Sequence, residues 1–225
     1  ILGYVETLSD PKAGEDPATR QRFLDIIKRE ATRMQSLVSD LMSLSRIEAI
    51  RHEAPSDQIE MVSLCREVIG ERPREVEVNF VTNADHAYVT GDHAQLAQVV
   101  RNLVDNAEKY GGSDKGTKVQ LEASERGWLT LAITDHGEGI APEHLPRLTE
   151  RFYRVDGRRS RDTGGTGLGL AIVKHVVQRH GGELQIESDP GKGSRFRLVF
   201  PAARVRVRRA APVLQPDADQ ASRSE

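Results

Sequence analysis

The fold of this chain is decided by two glycine-rich segments, Asp135-His-Gly-Glu-Gly-Ile140 and Gly164-Gly-Thr-Gly-Leu-Gly-Leu170. Glycines at alternate positions allow positive φ and leave no Cβ between the backbone N–H groups and a phosphate or a base. The second segment opens a predicted helix, and the N-terminus of a helix attracts anions. Together with the upstream stretch Asn102-Leu-Val-Asp-Asn106, the two segments predict a nucleotide site.

Composition limits the class of protein. The chain has 225 residues, of which 37% are hydrophobic and 29% charged, enough for one main domain and a smaller element. No apolar run approaches the ~20 residues of a membrane span, so we expect a cytoplasmic fragment with no membrane contact. The net charge of −2 gives no general attraction to nucleic acid. The single cysteine, Cys65, fits a reducing compartment, and its apolar neighbours predict a buried thiol.

The N-terminal quarter predicts a helical hairpin. From Thr19 to about Ala49 there is no glycine or proline, and Asp16 followed by Pro17 predicts the start of a helix. Apolar residues recur there at spacings of three, four or seven. These residues are Phe23, Ile27, Met34, Leu37, Leu41 and Leu44. Residues 1–8 resemble the end of an earlier helix, so two such hairpins from two chains would make a four-helix bundle.

The rest of the chain mixes helices and strands. We predict helices at 61–72, at 92–110 with Asp92 as N-cap, and at 167–180. We predict strands at 76–80, at 88–90 as a short partner of that strand, at 118–123, 128–134, 183–187 and 195–200. The hairpins among them favour a mixed sheet with helices on one face. The polar segment beyond Pro201 is expected to be disordered.

One face of the helix at 92–110 is polar. Gln98, Asn102, Asn106 and Lys109 or Tyr110 follow one another at three or four residues and therefore share that face. A polar stripe is usually a solvated surface. Asparagine carbonyls and a lysine also suit Mg²⁺ and a phosphate. The spacing leaves both interpretations open.

The first glycine segment begins with a carboxylate at the end of a strand. Asp135 could there accept a hydrogen bond from an exocyclic amine, while Gly137 and Gly139 let a flat ring approach the backbone. The alternative is an ordinary turn. The polar, arginine-rich residues 155–163 are expected to form a mobile flap over phosphates, with a disordered charged loop as the alternative.

Five segments resemble, in order and spacing, the N, G1, F, G2 and G3 boxes of sensor histidine kinases of two-component systems. They are residues 102–110, 135–139, 151–154, 165–169 and 191–194. Residues 3–8 and 151–156 most resemble the phosphate-regulon sensor kinases within that family. The resemblance covers about residues 1–201. It implies an α+β protein with a dimerisation hairpin, followed by an α/β sandwich of the Bergerat type that binds ATP and Mg²⁺.

The resemblance also implies domain limits. Residues 1–55 would be a truncated dimerisation and histidine phosphotransfer hairpin, residues 56–203 the catalytic ATP-binding domain, and residues 204–225 a disordered tail. The intact parent would lie in the bacterial inner membrane, act as a homodimer and pass phosphate to a response-regulator receiver domain.

The family's site residues map onto this chain residue by residue. Asp135 would hold the adenine amine, Asn102 and Asn106 would bind Mg²⁺ and phosphates, Lys109 a phosphate, and Tyr110 the base or ribose. Asn102, Lys109 and Arg154 would be catalytic. The remaining nucleotide-binding positions implied are Gly137, Gly139, Ile140, Phe152, Gly165, Thr166, Gly167, Leu168, Gly169 and Leu170.

Two further features bear on the reaction. Asn102 stands where ATP-hydrolysing members of the wider superfamily have a glutamate, and an amide cannot take a proton from water, so ATP would be kept for an imidazole nucleophile. The family's acceptor histidine stands just ahead of the segment matched by residues 1–4. None of the seven histidines is expected to replace it, and His180 is expected to lie in a surface-like context. An ATPase with another base and a non-catalytic interaction module are the alternatives.

Overall fold

The computed structural model describes residues 2–9, 16–49, 55–73, 77–112, 116–155 and 165–208. Most of the predicted flap, His52 and the chain beyond residue 208 lie outside the described residues. Within these ranges, no helix combines the length and the apolar character that a membrane span requires.

The predicted helical hairpin is confirmed. It consists of α1 (Leu2–Ser9) and α2 (Pro17–Ala49). The Asp16 carboxylate accepts hydrogen bonds from the N–H groups of Ala18 and Thr19, at 3.3 and 3.1 Å, and so caps α2 as predicted. The rings of Tyr4 and Phe23 lie 5.3 Å apart and join the two helices.

Three more helices and eight strands complete the described part of the chain. The helices are α3 (Met61–Gly70), α4 (His93–Tyr110) and α5 (Gly169–Arg179). The strands are β1 (Asp57–Glu60), β2 (Val78–Thr82), β3 (His86–Gly91), β4 (Thr117–Ala123), β5 (Leu129–Thr134), β6 (Glu183–Asp189), β7 (Gly193–Phe200) and β8 (Val205–Arg208). Asp92 caps α4 as predicted, since its carboxylate accepts the Gln95 N–H at 3.0 Å.

The main sheet is mixed, as predicted. In the described residues its five strands lie in the order β2-β4-β5-β7-β6, with β2 and β4 parallel and the other pairs antiparallel. Leu121, Leu131 and Leu198 are buried and join one apolar cluster with Leu103 of α4 and Ile172 of α5. The residue alternation of each strand therefore places one sheet face against the helices.

A second, three-stranded sheet corrects three predictions. It has the order β1-β3-β8 in the described residues, and the sequence analysis missed β1. The segment at 88–90 does not pair with the strand at 76–80, because β2 pairs with β4 while β3 pairs with β1 and β8. Residues 204–208 are not disordered: a 3₁₀ turn at Ala202–Arg204 is followed by β8, in which Val205 and Val207 are half-buried on either side of the exposed Arg206.

The Cys65 thiol is buried, as predicted. No part of the residue is exposed, and burial raises the pKa of the thiol to about 12. The group is therefore a protonated core side chain at neutral pH.

His180 is fully buried, so its predicted surface position is wrong. Its Nδ1 donates to the Val176 carbonyl at 2.7 Å, and its Nε2 accepts the N–H of Asp92 at 2.9 Å. The imidazole thereby ties the end of α5 to the N-cap of α4. Burial lowers the pKa of His180, because the interior disfavours the charged imidazole, while the hydrogen bond to the Val176 carbonyl and the nearby Asp92 carboxylate act in the opposite direction.

We expect this histidine to make stability depend on pH. Because its pKa is lowered in the folded state, the unfolded chain binds more protons near and below the unfolded pKa of about 6.5, so stability decreases as the pH is lowered through this range. Urea unfolding at pH 7.5 and 5.5 should show about 1 kcal/mol more loss in the wild type than in His180→Gln. An equal slope in His180→Gln would contradict the assignment.

Arg204 orders the segment that the sequence analysis assigned to the tail. Its Nε donates to the carbonyl of His180 at 3.2 Å, and its Nη2 donates to those of Pro55 and Thr90 at 3.0 Å each. One guanidinium thus joins the start of the domain, the small sheet and the end of α5.

Arg204→Met should lower the free energy of unfolding by about 3 kcal/mol, because three carbonyls lose a charged donor. The measurement is urea unfolding at neutral pH. The matched control is Arg206→Met on the exposed side of β8. Equal losses in the two variants would show that the three bonds add no stability.

Candidate nucleotide site

A cavity of about 920 Å³ lies between α2, α4, the first glycine segment and the start of α5. Its volume is within the range of small-molecule sites. The predicted site residues on its wall are Asn102, Asn106, Lys109, Tyr110, Asp135, Gly137, Gly139, Ile140, Arg154, Gly165, Thr166, Gly167, Gly169 and Leu170. The structure thus brings together segments that are up to 68 residues apart, from 102 to 170.

The structure does not bring Phe152 and Leu168 to the wall. Phe152 is 57% exposed, has a φ of 64° and donates its N–H to the carbonyl of Gly167 at 2.9 Å. Leu168 is buried in the core, and its N–H donates to Thr166 Oγ1 at 3.2 Å. Both residues shape the backbone around the cavity, one before α5 and one at its start.

The polar face of α4 is divided between two surroundings. Asn102, Asn106 and Lys109 line the cavity, whereas Gln98 accepts a hydrogen bond from Ser43 Oγ of α2 at 2.7 Å. The Asn102 Nδ2 group donates to the carbonyl of Gly169 at 3.3 Å. This bond fixes the start of α5 against α4 and uses the amide nitrogen, not the amide oxygen.

Asp135 is a buried carboxylate at the end of β5, only 4% exposed. Its Oδ1 accepts hydrogen bonds from the N–H groups of Gly137 and Ser194, at 3.0 and 3.1 Å. Burial raises its pKa, and the two hydrogen bonds act in the opposite direction. The bond to Gly137 closes a turn, so Asp135 both stabilises that turn and supplies the carboxylate on the cavity wall.

The glycines of the first segment are required by the protein's own backbone. A Cβ on Gly137 would overlap the carbonyl of Tyr110 at the end of α4. A Cβ on Gly139, where φ is 68°, would overlap the carbonyl of Asp189 in the β6–β7 hairpin. At these two positions, the lack of a Cβ therefore makes room for backbone carbonyl groups of neighbouring segments. This differs from the expectation that it admits a flat ring.

Several wall residues were missed by the sequence analysis. They include Ser36 and Asp40 of α2, Asp105 of α4, and Tyr153, Gly191 and Ser194. Asp105 could have been found, because it precedes Asn106 inside the quoted motif. Asp40 could not, since a helical period does not show which domain a helix contacts. Its Oδ2 accepts a hydrogen bond from Thr166 Oγ1 at 2.7 Å.

An ion cluster lies behind the wall. Arg72, at the end of α3, forms an ion pair with Asp105, and its Nη1 lies 3.7 Å from Glu108 Oε2. Burial raises the pKa of Glu108, while Arg72 opposes that shift. Because Asp105 faces the cavity, Arg72 offsets negative charge on the wall of the proposed anion site.

Arg72→Met should destabilise the fold by about 1–2 kcal/mol, since its side chain is only 16% exposed but that of Asp105 is 37% exposed. Chemical denaturation measures the loss. Arg101→Met is the matched control on the same two helices, because its pair with Glu71 is exposed on both sides and should contribute little. A similar loss in both variants would refute a special role for Arg72.

Comparison with known proteins identifies the class. A family model described as "Histidine kinase-, DNA gyrase B-, and HSP90-like ATPase" matches residues 91–204. The chain belongs to this family, whose domain binds ATP. A second model, the "His Kinase A (phospho-acceptor) domain", matches residues 1–50. The chain therefore combines the two modules of sensor histidine kinases, as the resemblance implied.

Named relatives agree with this class. The phosphate regulon sensor protein PhoR of Pseudomonas aeruginosa is 40% identical over 217 residues, 94% of this chain and 48% of PhoR. The sensor-like histidine kinase SenX3 of Mycolicibacterium smegmatis is 38% identical over 207 residues, 89% of this chain and 53% of SenX3. The solved mycobacterial sensor histidine kinase MprB superposes with a TM-score of 0.55 at 31% identity, covering 65% of this chain and 97% of that one. The chain spans about half the length of the curated relatives it matches.

Proposed function

We propose that the chain is the cytoplasmic core of a sensor histidine kinase that binds ATP with Mg²⁺ and donates the γ-phosphoryl group to a histidine upstream of residue 1. A response-regulator aspartate would then receive the group. The observation that carries this proposal is one cavity with a buried carboxylate, Asp135, and with amides, a lysine and a helix N-terminus on the same wall.

Asp135 favours adenine over guanine. A carboxylate accepts hydrogen bonds, and the exocyclic amine of adenine donates them, whereas guanine presents a carbonyl at the equivalent position. The N–H groups of Gly137 and Ser194 hold the carboxylate in place before a ligand arrives. Tyr110 and Ile140 line the same cavity and suit the base or ribose.

The phosphates would lie at the start of α5. Gly167, Gly169 and Leu170 bring that helix N-terminus to the wall, where the backbone N–H groups carry partial positive charge. Lys109 and Arg154 add cations to the same wall. These groups would stabilise the charge that develops during phosphoryl transfer.

Asn102 and Asn106 fit a magnesium ion that is shared with the phosphates. In the residues that the structure describes, no group of three histidine, cysteine or acidic side chains could hold a metal by itself. Mg²⁺ accepts neutral carbonyl oxygens together with ligand phosphates, and the Asn102 amide uses its nitrogen for Gly169. The ion, when bound, neutralises phosphate charge.

In the transfer step, a neutral imidazole nitrogen would attack the γ-phosphorus, and the bond to the bridging oxygen would break to release ADP. Asn102 cannot accept a proton from water, so the site lacks a base at that position and favours the imidazole over hydrolysis. Lys109, Arg154 and the start of α5 would bind the transferring group.

The helical hairpin would form a homodimer. One side of α2 exposes apolar side chains, with Met34 58%, Val38 61% and Met42 59% exposed. Of the six recurring apolar residues that the sequence analysis named on this helix, Met34 and Leu41 are exposed, while Leu44 is buried. An exposed apolar stripe on a 33-residue helix supports pairing with the same stripe of a second copy.

Calorimetric titration tests the site. We expect the chain to bind ATP in the presence of Mg²⁺ and to bind GTP at least tenfold more weakly, because Asp135 selects the amine. Asn106→Ala should weaken ATP binding by at least tenfold through the loss of an ion and phosphate ligand. The control is Asn79→Ala, at an exposed position on β2.

Labelling with γ-phosphate-labelled ATP tests the reaction. The chain by itself should place no phosphate on its own histidines, while the same core extended upstream should become labelled on histidine. Steady ATP hydrolysis without labelling would favour the ATPase alternative. Label on His136, which lies on the cavity wall, would place the acceptor inside this chain and contradict the proposal.

A further inference from the structure

A carboxylate of the helical hairpin lies inside the proposed nucleotide cavity. Asp40 is on α2, and its Oδ2 accepts the hydroxyl hydrogen of Thr166 at 2.7 Å. Both residues line the cavity. Thr166 lies three residues before the start of α5, where the proposed phosphates would lie. The hairpin therefore places a negative group beside an anion site.

This contact belongs to a docked interface. Ser43, one turn further along α2, donates to Gln98 of α4 at 2.7 Å. Leu44 is 3% exposed and Ile47 6%, and Ile47 belongs to the apolar core that also contains α4 and α5. The spacing from Asp40 through Ser43 to Ile47 keeps these contacts on one side of α2. The helix is thus held against the domain by apolar burial as well as by two hydrogen bonds.

The charges around Asp40 favour competition with a phosphate. Burial raises the pKa of its carboxyl and Asp105 raises it further, while the Thr166 hydrogen bond and Lys109 lower it. The proposed function gives Lys109 to the nucleotide phosphates, and Thr166 is one of the nucleotide-binding positions that the family resemblance implies. A carboxylate and a phosphate are both negatively charged and both accept hydrogen bonds. The Thr166 hydroxyl and the Lys109 ammonium therefore cannot bind both of them fully.

We propose that Asp40 is an affinity-determining residue of the nucleotide site: while α2 is docked, its carboxylate competes with the phosphates for Thr166 and Lys109. The coupling is reciprocal, so release of α2 strengthens ATP binding and bound ATP loosens α2. This inference rests on the proposed function, because it takes the ligand to be a nucleoside triphosphate. The competition lets the ligand itself free the domain from the hairpin.

The first test is calorimetric titration of ATP with Mg²⁺ into the wild type, Asp40→Asn and Asp25→Asn. Asparagine keeps the size of the side chain and an acceptor for Thr166 but removes the charge, so affinity should rise about three- to tenfold. Asp25, also on α2, accepts a hydrogen bond from Gln21 at 3.0 Å and lies ~22 Å from Asp40 toward the N-terminus of the helix, so its variant should bind like the wild type.

The second test separates docking from charge. Ser43→Ala removes the hydrogen bond to Gln98 without changing any charge and should tighten ATP binding about twofold. Hydrogen exchange of residues 36–47 should become faster when ATP saturates the wild-type chain. Circular dichroism checks that each variant is folded, and Ser43→Ala keeps the question answerable if Asp40→Asn does not fold.

The outcomes are distinguishable. Unchanged or weaker ATP binding in Asp40→Asn, or slower exchange of residues 36–47 with ATP, overturns this inference while the proposed function stands. Failure of all the chains to bind ATP overturns the proposed function and this inference together. Tighter binding in Asp40→Asn and Ser43→Ala, with Asp25→Asn unchanged, supports the competition.

Discussion

The site depends on a close approach of three backbone segments. The end of β5 runs so near to the end of α4 and to the β6–β7 hairpin that Gly137 and Gly139 leave no room for a Cβ against the carbonyls of Tyr110 and Asp189. This approach brings the N–H of Ser194 to the Asp135 carboxylate. The position of the buried acid thus follows from backbone packing, and the cavity wall follows from the acid.

Helix α4 transmits that constraint to the other end of the cavity. Its apolar side is buried in the domain core, so its polar side cannot rotate away from the cavity. Asn102 then fixes the start of α5 through the carbonyl of Gly169, and His180 fixes the end of α5 to the N-cap of α4. The two helices are joined at both ends, which holds the helix N-terminus and the two asparagines at a constant separation.

Local patterns predicted most of the fold. The capping residues Asp16 and Asp92, the long apolar period of α2 and the alternating strands are set by neighbours in sequence, and the structure confirms them. Long-range pairing was less predictable. Strand β8 is ordered by Arg204 and by pairing with β3, more than a hundred residues away, and no local composition indicates such a partner.

The candidate site shows the same difference between local features, which the sequence predicts, and long-range contacts, which it does not. Residues of the glycine segments could be found from their alternate glycines. Those on α4 could be found because their spacing of three or four residues places them on one face. Asp40 depends on how the hairpin packs on the domain, and the burial of His180 depends on the opposing N-cap of α4. Both depend on tertiary packing, which a helical period does not predict. Phe152 lies in a recognisable motif, yet it is largely exposed and is not among the residues that line the cavity.

The carboxylates of the cavity bear on the proposed choice between phosphoryl transfer and hydrolysis. Four carboxylates of the described residues line the wall: Asp40, Asp105, Asp135 and Glu138. Asp135 accepts two backbone N–H groups, Asp40 accepts the Thr166 hydroxyl, and Asp105 pairs with Arg72. A hydrogen-bonded or ion-paired carboxylate is a weaker base toward water than an unpaired one. At the position where the resemblance puts the glutamate of ATP-hydrolysing members, this chain has the amide of Asn102. Under the proposed function, such a wall would bind and orient phosphates for a nucleophile that arrives from outside the cavity.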